Sequence, residues 1–217
     1  MIVLVVALQS EANAVINALE NKKDLTIINK PLYEGKLADK QVALAVSGIG
    51  KVNSAITTQA MINKYQPDLV INFGTAGGVD QTVVAKEYYQ VKDCCQFDFD
   101  LRDLDGVPLG YIQDYARNFF PCRTVDNLLP IRNIGSADRF TESNIDNISV
   151  KELGCSLRDM EGAAIAHTCL ANNVPLYMLK GITDVTGSNS TAEQFRENLK
   201  SVCSDFDKII SDLLAKL

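Results

Sequence analysis

Ile2-Val3-Leu4-Val5-Val6-Ala7-Leu8-Gln9-Ser10-Glu11 opens the chain with an unbroken apolar, β-branched run that stops abruptly at polar residues. A strand with one face in water alternates apolar with polar residues. An unalternated run therefore predicts a strand covered on both faces, as in a parallel sheet. Ser10 is a candidate helix cap, and Ala14 and Leu19 repeat at helical spacing beyond it, so a helix is expected to follow the strand directly. The run is short and has no basic segment before it, which argues for a core strand rather than a signal peptide.

The same alternation continues outward. Segments 32–37 and 41–46, joined through Ala38-Asp39-Lys40, predict a hairpin, 51–65 a helix and 68–73 another buried strand. Gly74-Thr75-Ala76-Gly77-Gly78 reads as a loop because it is too glycine-rich for either regular element. Residues 97–130 carry the weakest periodicity, which suggests a binding loop or lid. Beyond them a strand is expected over 131–137, a helix over 160–171, a strand over 176–182 and one closing helix over 191–217. This order predicts an α/β protein, a three-layer α-β-α sandwich around a mixed, largely parallel central sheet, in one domain spanning 1–217.

Of the 217 residues, 47% are hydrophobic and 22% charged, and the formal net charge is -6. A negative chain argues against nucleic acid or an anionic membrane as partner, because both are gripped mainly through Lys and Arg. A small-molecule ligand fits better. The six cysteines are scattered, with Cys94 and Cys95 adjacent and no Cys-x-x-Cys pair, which points to reduced thiols. No apolar stretch approaches the roughly 20 residues that span a bilayer, and a cytoplasmic location is expected.

Ligands of such sheets bind where strands end, so the residues just after strands are the ones to inspect. Three acids stand there: Glu11 after the first strand, Glu161 at the start of an apolar helix and Asp184 at the end of an apolar strand. Glycoside hydrolysis needs carboxyl groups on opposite sides of an oxocarbenium-like sugar, one to activate water and one to protonate the leaving group. Each also has a structural explanation. Glu11 and Glu161 suit first helical turns, and Asp184 suits a turn. His167, the only histidine, falls within an apolar helix and reads as packed rather than catalytic. No His, Cys or carboxylate cluster has zinc-ligand spacing.

The combination is more specific than its parts. Ser47-Gly48-Ile49-Gly50-Lys51, Asn72-Phe73-Gly74-Thr75-Ala76-Gly77-Gly78, Asp159-Met160-Glu161-Gly162-Ala163-Ala164-Ile165-Ala166-His167 and Ile182-Thr183-Asp184-Val185 follow one another in the chain. In this order they resemble bacterial 5'-methylthioadenosine/S-adenosylhomocysteine nucleosidases of the purine nucleoside phosphorylase/uridine phosphorylase superfamily. The resemblance covers most of the chain and is weakest over 99–130.

The resemblance implies hydrolysis of the N-glycosidic bond of an adenine nucleoside, with water as co-substrate, no cofactor and no metal. Asp184 matches the aspartate that contacts the purine and helps protonate N7. Glu11 matches the acid associated with the attacking water, and Glu161 with Met160 the residues that hold the ribose hydroxyls. Phe140 matches the aromatic that stacks on the base, with the Thr141 backbone reading its edge. Thr75, Ala76 and Gly77 match the Gly-Ser-Ala-Gly-Gly stretch, with threonine in place of serine. Leu8, Ile49, Leu104 and Phe195 are expected to line the 5' subsite. Lys180 takes the place of an arginine in the ribose and water network, a change of donor geometry.

Related phosphorylases usually carry Gly-Asp-Pro and then arginine after the first strand to grip phosphate. Leu8-Gln9-Ser10-Glu11 stands there instead, and a carboxylate repels phosphate. The alternatives are a purine nucleoside phosphorylase and a non-catalytic nucleoside-binding protein. Leu104 and Val107 stand where larger rings are usual, so 5'-deoxyadenosine, aminodeoxyfutalosine and adenosine remain candidate substrates beside methylthioadenosine. A symmetric homodimer is also expected from the resemblance.

Overall fold

The opening run forms β1 (Ile2–Val6), and every residue in it is buried. Successive side chains of a strand point to opposite faces. Val3 and Val5 accordingly pack with Met61, Ala163 and Ile165, while Ile2, Leu4 and Val6 pack with Val15, Ile16 and Phe206. Two helical layers are thereby fixed on either side of one strand. The structure, a computed structural model, describes residues 1–140, 144–187 and 190–217.

α1 (Gln9–Ala18) follows β1, then come β2 (Glu20–Ile27), β3 (Lys30–Leu37), β4 (Lys40–Val46), α2 (Lys51–Tyr65), β5 (Leu69–Gly78) and β6 (Tyr88–Gln96). The loop-rich middle holds α3 (Arg102–Asp105) and the short β7 (Phe120–Pro121). β8 (Ile131–Ser136), α4 (Asn144–Glu152), β9 (Leu157–Asp159), α5 (Gly162–Ala171), β10 (Leu176–Val185), α6 (Thr191–Cys203) and α7 (Phe206–Leu214) complete the order. Helices α2 and α5 cover one face, and α1, α6 and α7 the other.

The expected mixed sheet between helical layers is present, with ten strands in the order β10-β6-β8-β9-β5-β1-β4-β3-β2 and β7 beside β6. Parallel pairing holds β4, β1, β5 and β10 together at its centre. β10 also pairs with β6, so β10, β6, β8, β9 and β5 close into a ring from which β1, β4, β3 and β2 extend. The ends of β1, β5 and β10 thus face one space.

The predicted hairpin is β3–β4, turned by Ala38 (φ 47°) and Asp39 (φ 61°), the left-handed pair that a two-residue turn requires. Three expectations are corrected. Gly74 to Gly78 is not a loop but the second half of β5, because β10 supplies partners along all of it and β9 pairs with Gly77 and Gly78. The closing helix is broken at Ser204-Asp205. There the chain turns Phe206 inward, edge-on to Phe73 at 5.3 Å and to Tyr88 at 5.9 Å. Ser10 does not cap α1. The N-cap is Leu8, and its N–H is taken by the Glu11 carboxylate at 3.0 Å.

Candidate active site

A cavity of about 670 Å³, including its open mouth, lies at the ends of β1, β5 and β10 and the start of α5. Leu8, Glu11, Ile49, Thr75, Ala76 and Gly77 line it, as do Phe140, Met160, Glu161, Asp184 and Phe195, all singled out by the sequence. Thr141 lies outside the described residues. Leu104 is 78% exposed on α3 and does not reach the cavity. His167 is also elsewhere, stacked on Phe120 at 4.6 Å and edge-on to Tyr115 at 4.9 Å.

The local chain explains how each acid is held. Glu11, in the first turn of α1, is only 3% exposed. Its Oε1 accepts hydrogen bonds from the Thr75 N–H and Thr75 Oγ1, both at 2.7 Å, and its Oε2 accepts from the Leu8 N–H. The helix start and the glycine-rich half of β5 therefore aim donors at one carboxylate.

Glu161 is the N-cap residue of α5, and its Oε1 accepts from the Gly50 N–H at 2.8 Å. Gly50 (φ 99°) and Gly48 (φ 83°) hold left-handed conformations that bring the loop before α2 across the cavity to reach it. Burial, then the neighbouring Asp159 charge, pushes the Glu161 carboxyl up to about 7. The pull of Lys180 and the Gly50 N–H in the other direction only partly offsets this.

Asp184 closes the opposite side at the end of β10, 2% exposed, with Oδ1 accepting from Thr183 Oγ1 at 2.8 Å. Phe140 and Phe195 meet edge to face at 5.7 Å, giving the mouth an apolar wall with Leu8 and Ile49.

Lys180 is the one expected contact residue among those described, besides Leu104, that does not line the cavity. It lies behind the cavity, 2% exposed, with Nζ 2.8 Å from Asp159 Oδ2. Asp159 Oδ1 accepts from Ser136 Oγ at 2.5 Å, and its Oδ2 from the Gly162 N–H at 2.9 Å. Burial lowers the Lys180 pKa, but Asp159, Glu161 and Glu11 outweigh it and raise the net value, so the ammonium is retained. Lys180 is thus the counter-ion of the acidic floor. Its pairing with Asp159 was invisible in the sequence because the two residues lie on different strands of the ring.

Arg158, Asp159, Phe97 and Arg139 also line the cavity and were missed. The one available signal was Arg158 standing directly before Asp159-Met160-Glu161, a cation amid a functional motif. Among the described residues no group of three His, Cys, Asp or Glu side chains is placed to hold a metal ion.

Known proteins resemble this chain in sequence and in fold over nearly its whole length. The 5'-methylthioadenosine/S-adenosylhomocysteine nucleosidase of an Exiguobacterium species is 32% identical, covering 97% of this chain and 96% of its own. The structure of the nucleosidase of that name from Neisseria meningitidis, in complex with methylthio-immucillin-A, superposes with a TM-score of 0.89. It is 25% identical and covers 100% of this chain and 99% of that one. Futalosine hydrolase from Helicobacter pylori shares the fold, with a TM-score of 0.90 at 24% identity, covering 100% of this chain and 97% of that one. The family model described as the phosphorylase superfamily matches residues 1–215, from β1 through the last helix, and the chain belongs to that superfamily.

Proposed function

We propose that this protein, as a single domain over 1–217, hydrolyses the N-glycosidic bond of adenine nucleosides. 5'-Methylthioadenosine and S-adenosylhomocysteine are the substrates that its relatives' names indicate. The observation that carries the reading is the Glu11 carboxylate, held at the end of β1 across the cavity from Asp184. An anion at that point disfavours phosphate and accepts a proton from water.

In this reading the sugar lies over Glu161 and Met160, with the ionised Glu161 accepting from the ribose diol. Water is held by Glu11 and the Thr75 hydroxyl beneath C1'. Asp184 meets N7 and delivers a proton as the C1'–N9 bond stretches, so adenine departs neutral. Phe140 stacks on the base, Ala76 and Gly77 form the wall behind it, and Leu8, Ile49 and Phe195 receive an apolar 5'-substituent. No cofactor takes part.

Assembly and location belong to the same proposal. Val52 (71% exposed) and Ile56 (49%) form an apolar stripe one helical turn apart on α2, next to the half-exposed Ile49 at the cavity mouth. A second copy covering that stripe would complete the 5' subsite as a symmetric homodimer. A cytoplasmic location accords with the composition described above.

The test is adenine release from 5'-methylthioadenosine in phosphate-free buffer with chelator. Turnover unchanged by added phosphate supports the hydrolase, whereas strict phosphate dependence would make the protein a phosphorylase. Tight nucleoside binding with no turnover would make it a binding protein.

A further inference from the structure

The base end of the cavity holds a cation that the reaction just described does not use. Arg158 projects from β9, pairs through its backbone with Gly77 of the base wall and is only 7% exposed. Its Nη2 lies 3.3 Å from Asp184 Oδ2, and its Nη1 donates to Asn147 Oδ1 at 2.8 Å. Its Nε lies against Gly77, 2.9 Å from where a Cβ there would stand. A guanidinium has five N–H donors. Two are taken here, and Nε has no partner among the described residues, in a side chain that lines the cavity.

What such a group recognises follows from the purine edge. Adenine presents N7 as an acceptor and its 6-amino group as a donor, whereas a 6-oxopurine presents acceptors at both N7 and O6. Asp184 alone suits the first pattern. Arg158 beside it adds fixed donors that meet O6 and oppose a 6-amino group. A cation there also stabilises the negative charge that a departing 6-oxopurine spreads over N7 and O6.

We propose that Arg158 is a specificity-determining residue that opens the base subsite to 6-oxopurine nucleosides beside adenine nucleosides. The inference rests on the nucleosidase reading for the orientation of the nucleoside. In the reaction the C1'–N9 bond breaks with its electron pair going to the base, and a water oxygen bonds to C1'. That water gives one proton to Glu11, and the base receives its proton from Asp184 while Arg158 holds O6.

The experiment compares phosphate-free release of hypoxanthine from 5'-methylthioinosine with release of adenine from 5'-methylthioadenosine. The expected wild-type kcat/KM values lie within about a hundredfold of each other. Arg158→Leu should lower the hypoxanthine reaction at least tenfold more than the adenine reaction, the loss a site suffers when a donor it aims at substrate is removed. Arg158→Lys, which keeps the charge and one donor, should fall between. Adenine release without hypoxanthine release by the wild-type protein overturns this proposal and leaves the nucleosidase reading intact. Equal loss of both reactions in folded Arg158→Leu protein also overturns it. If neither base is released, both readings fail. The wild-type comparison stands even if the leucine variant does not fold.

Discussion

Replacing Lys180 by methionine removes, at nearly constant volume, the only cation among the described residues that pairs with Asp159 on the cavity floor. The ammonium and Asp159 are 2.8 Å apart, with side chains 2% and 1% exposed. At an effective dielectric of about 20, that separation corresponds to about 6 kcal/mol of attraction, before the cost of burying both charges. Breaking one partner of a buried pair costs about 3 to 5 kcal/mol, because the other charge is left uncompensated. For a chain of this size the loss corresponds to a Tm lower by about 6 to 20 °C. Lys180 also pulls the Glu161 pKa down, so its removal lets that pKa rise above the present value of about 7. The assays are thermal denaturation by circular dichroism and the pH dependence of kcat/KM. Lys180→Arg, which keeps the charge, should restore most of both. A Tm within 2 °C of wild type, with the acid limb of the pH profile unmoved, would refute the assignment of Lys180 as counter-ion of the floor.

Other consequences are equally open to measurement. Asp184→Asn preserves shape and hydrogen bonding but transfers no proton, so turnover at saturating 5'-methylthioadenosine should fall at least about 100-fold while nucleoside binding, followed by calorimetry, persists. His167→Asn, remote from the cavity, should leave turnover near wild type in the same assay. Because the Glu161 carboxyl is raised to about 7 and accepts from the diol only when ionised, kcat/KM should rise with pH up to about 7 and level off above it. A flat profile between pH 5 and 8 would contradict that role. Gly77→Ala places a Cβ 2.7 Å from Asp184 Oδ2 and 2.9 Å from Arg158 Nε, so base release should drop at least about tenfold in protein that still folds.

The parts of the fold readable from the sequence were those with local causes. The apolar run of β1 lacks the alternation of a half-wet strand, and Ala38-Asp39 supplies the turn of the β3–β4 hairpin. The glycine-rich half of β5 was not readable as a strand. Its hydrogen-bond partners come from β9 and β10, distant in sequence, and glycine is there because Asp184 and Arg158 crowd Gly77. The same distinction runs through the site. Glu11, Glu161 and Asp184 stood out because acids at strand ends and in apolar helices are conspicuous. Lys180 was conspicuous too, but its burial against Asp159 depends on the closure of the ring. Arg158 acquires its role from a three-residue strand whose partner is Gly77, and its place directly before Asp159-Met160-Glu161 is the single local hint of it.

The central claim is that water, held by Glu11, attacks the sugar carbon. It is tested most directly by turning over 5'-methylthioadenosine in H₂¹⁸O containing ordinary phosphate and examining the sugar product by mass spectrometry. The account predicts 5-methylthioribose carrying one ¹⁸O at C1, with no sugar phosphate. Unlabelled sugar 1-phosphate as the product would contradict it.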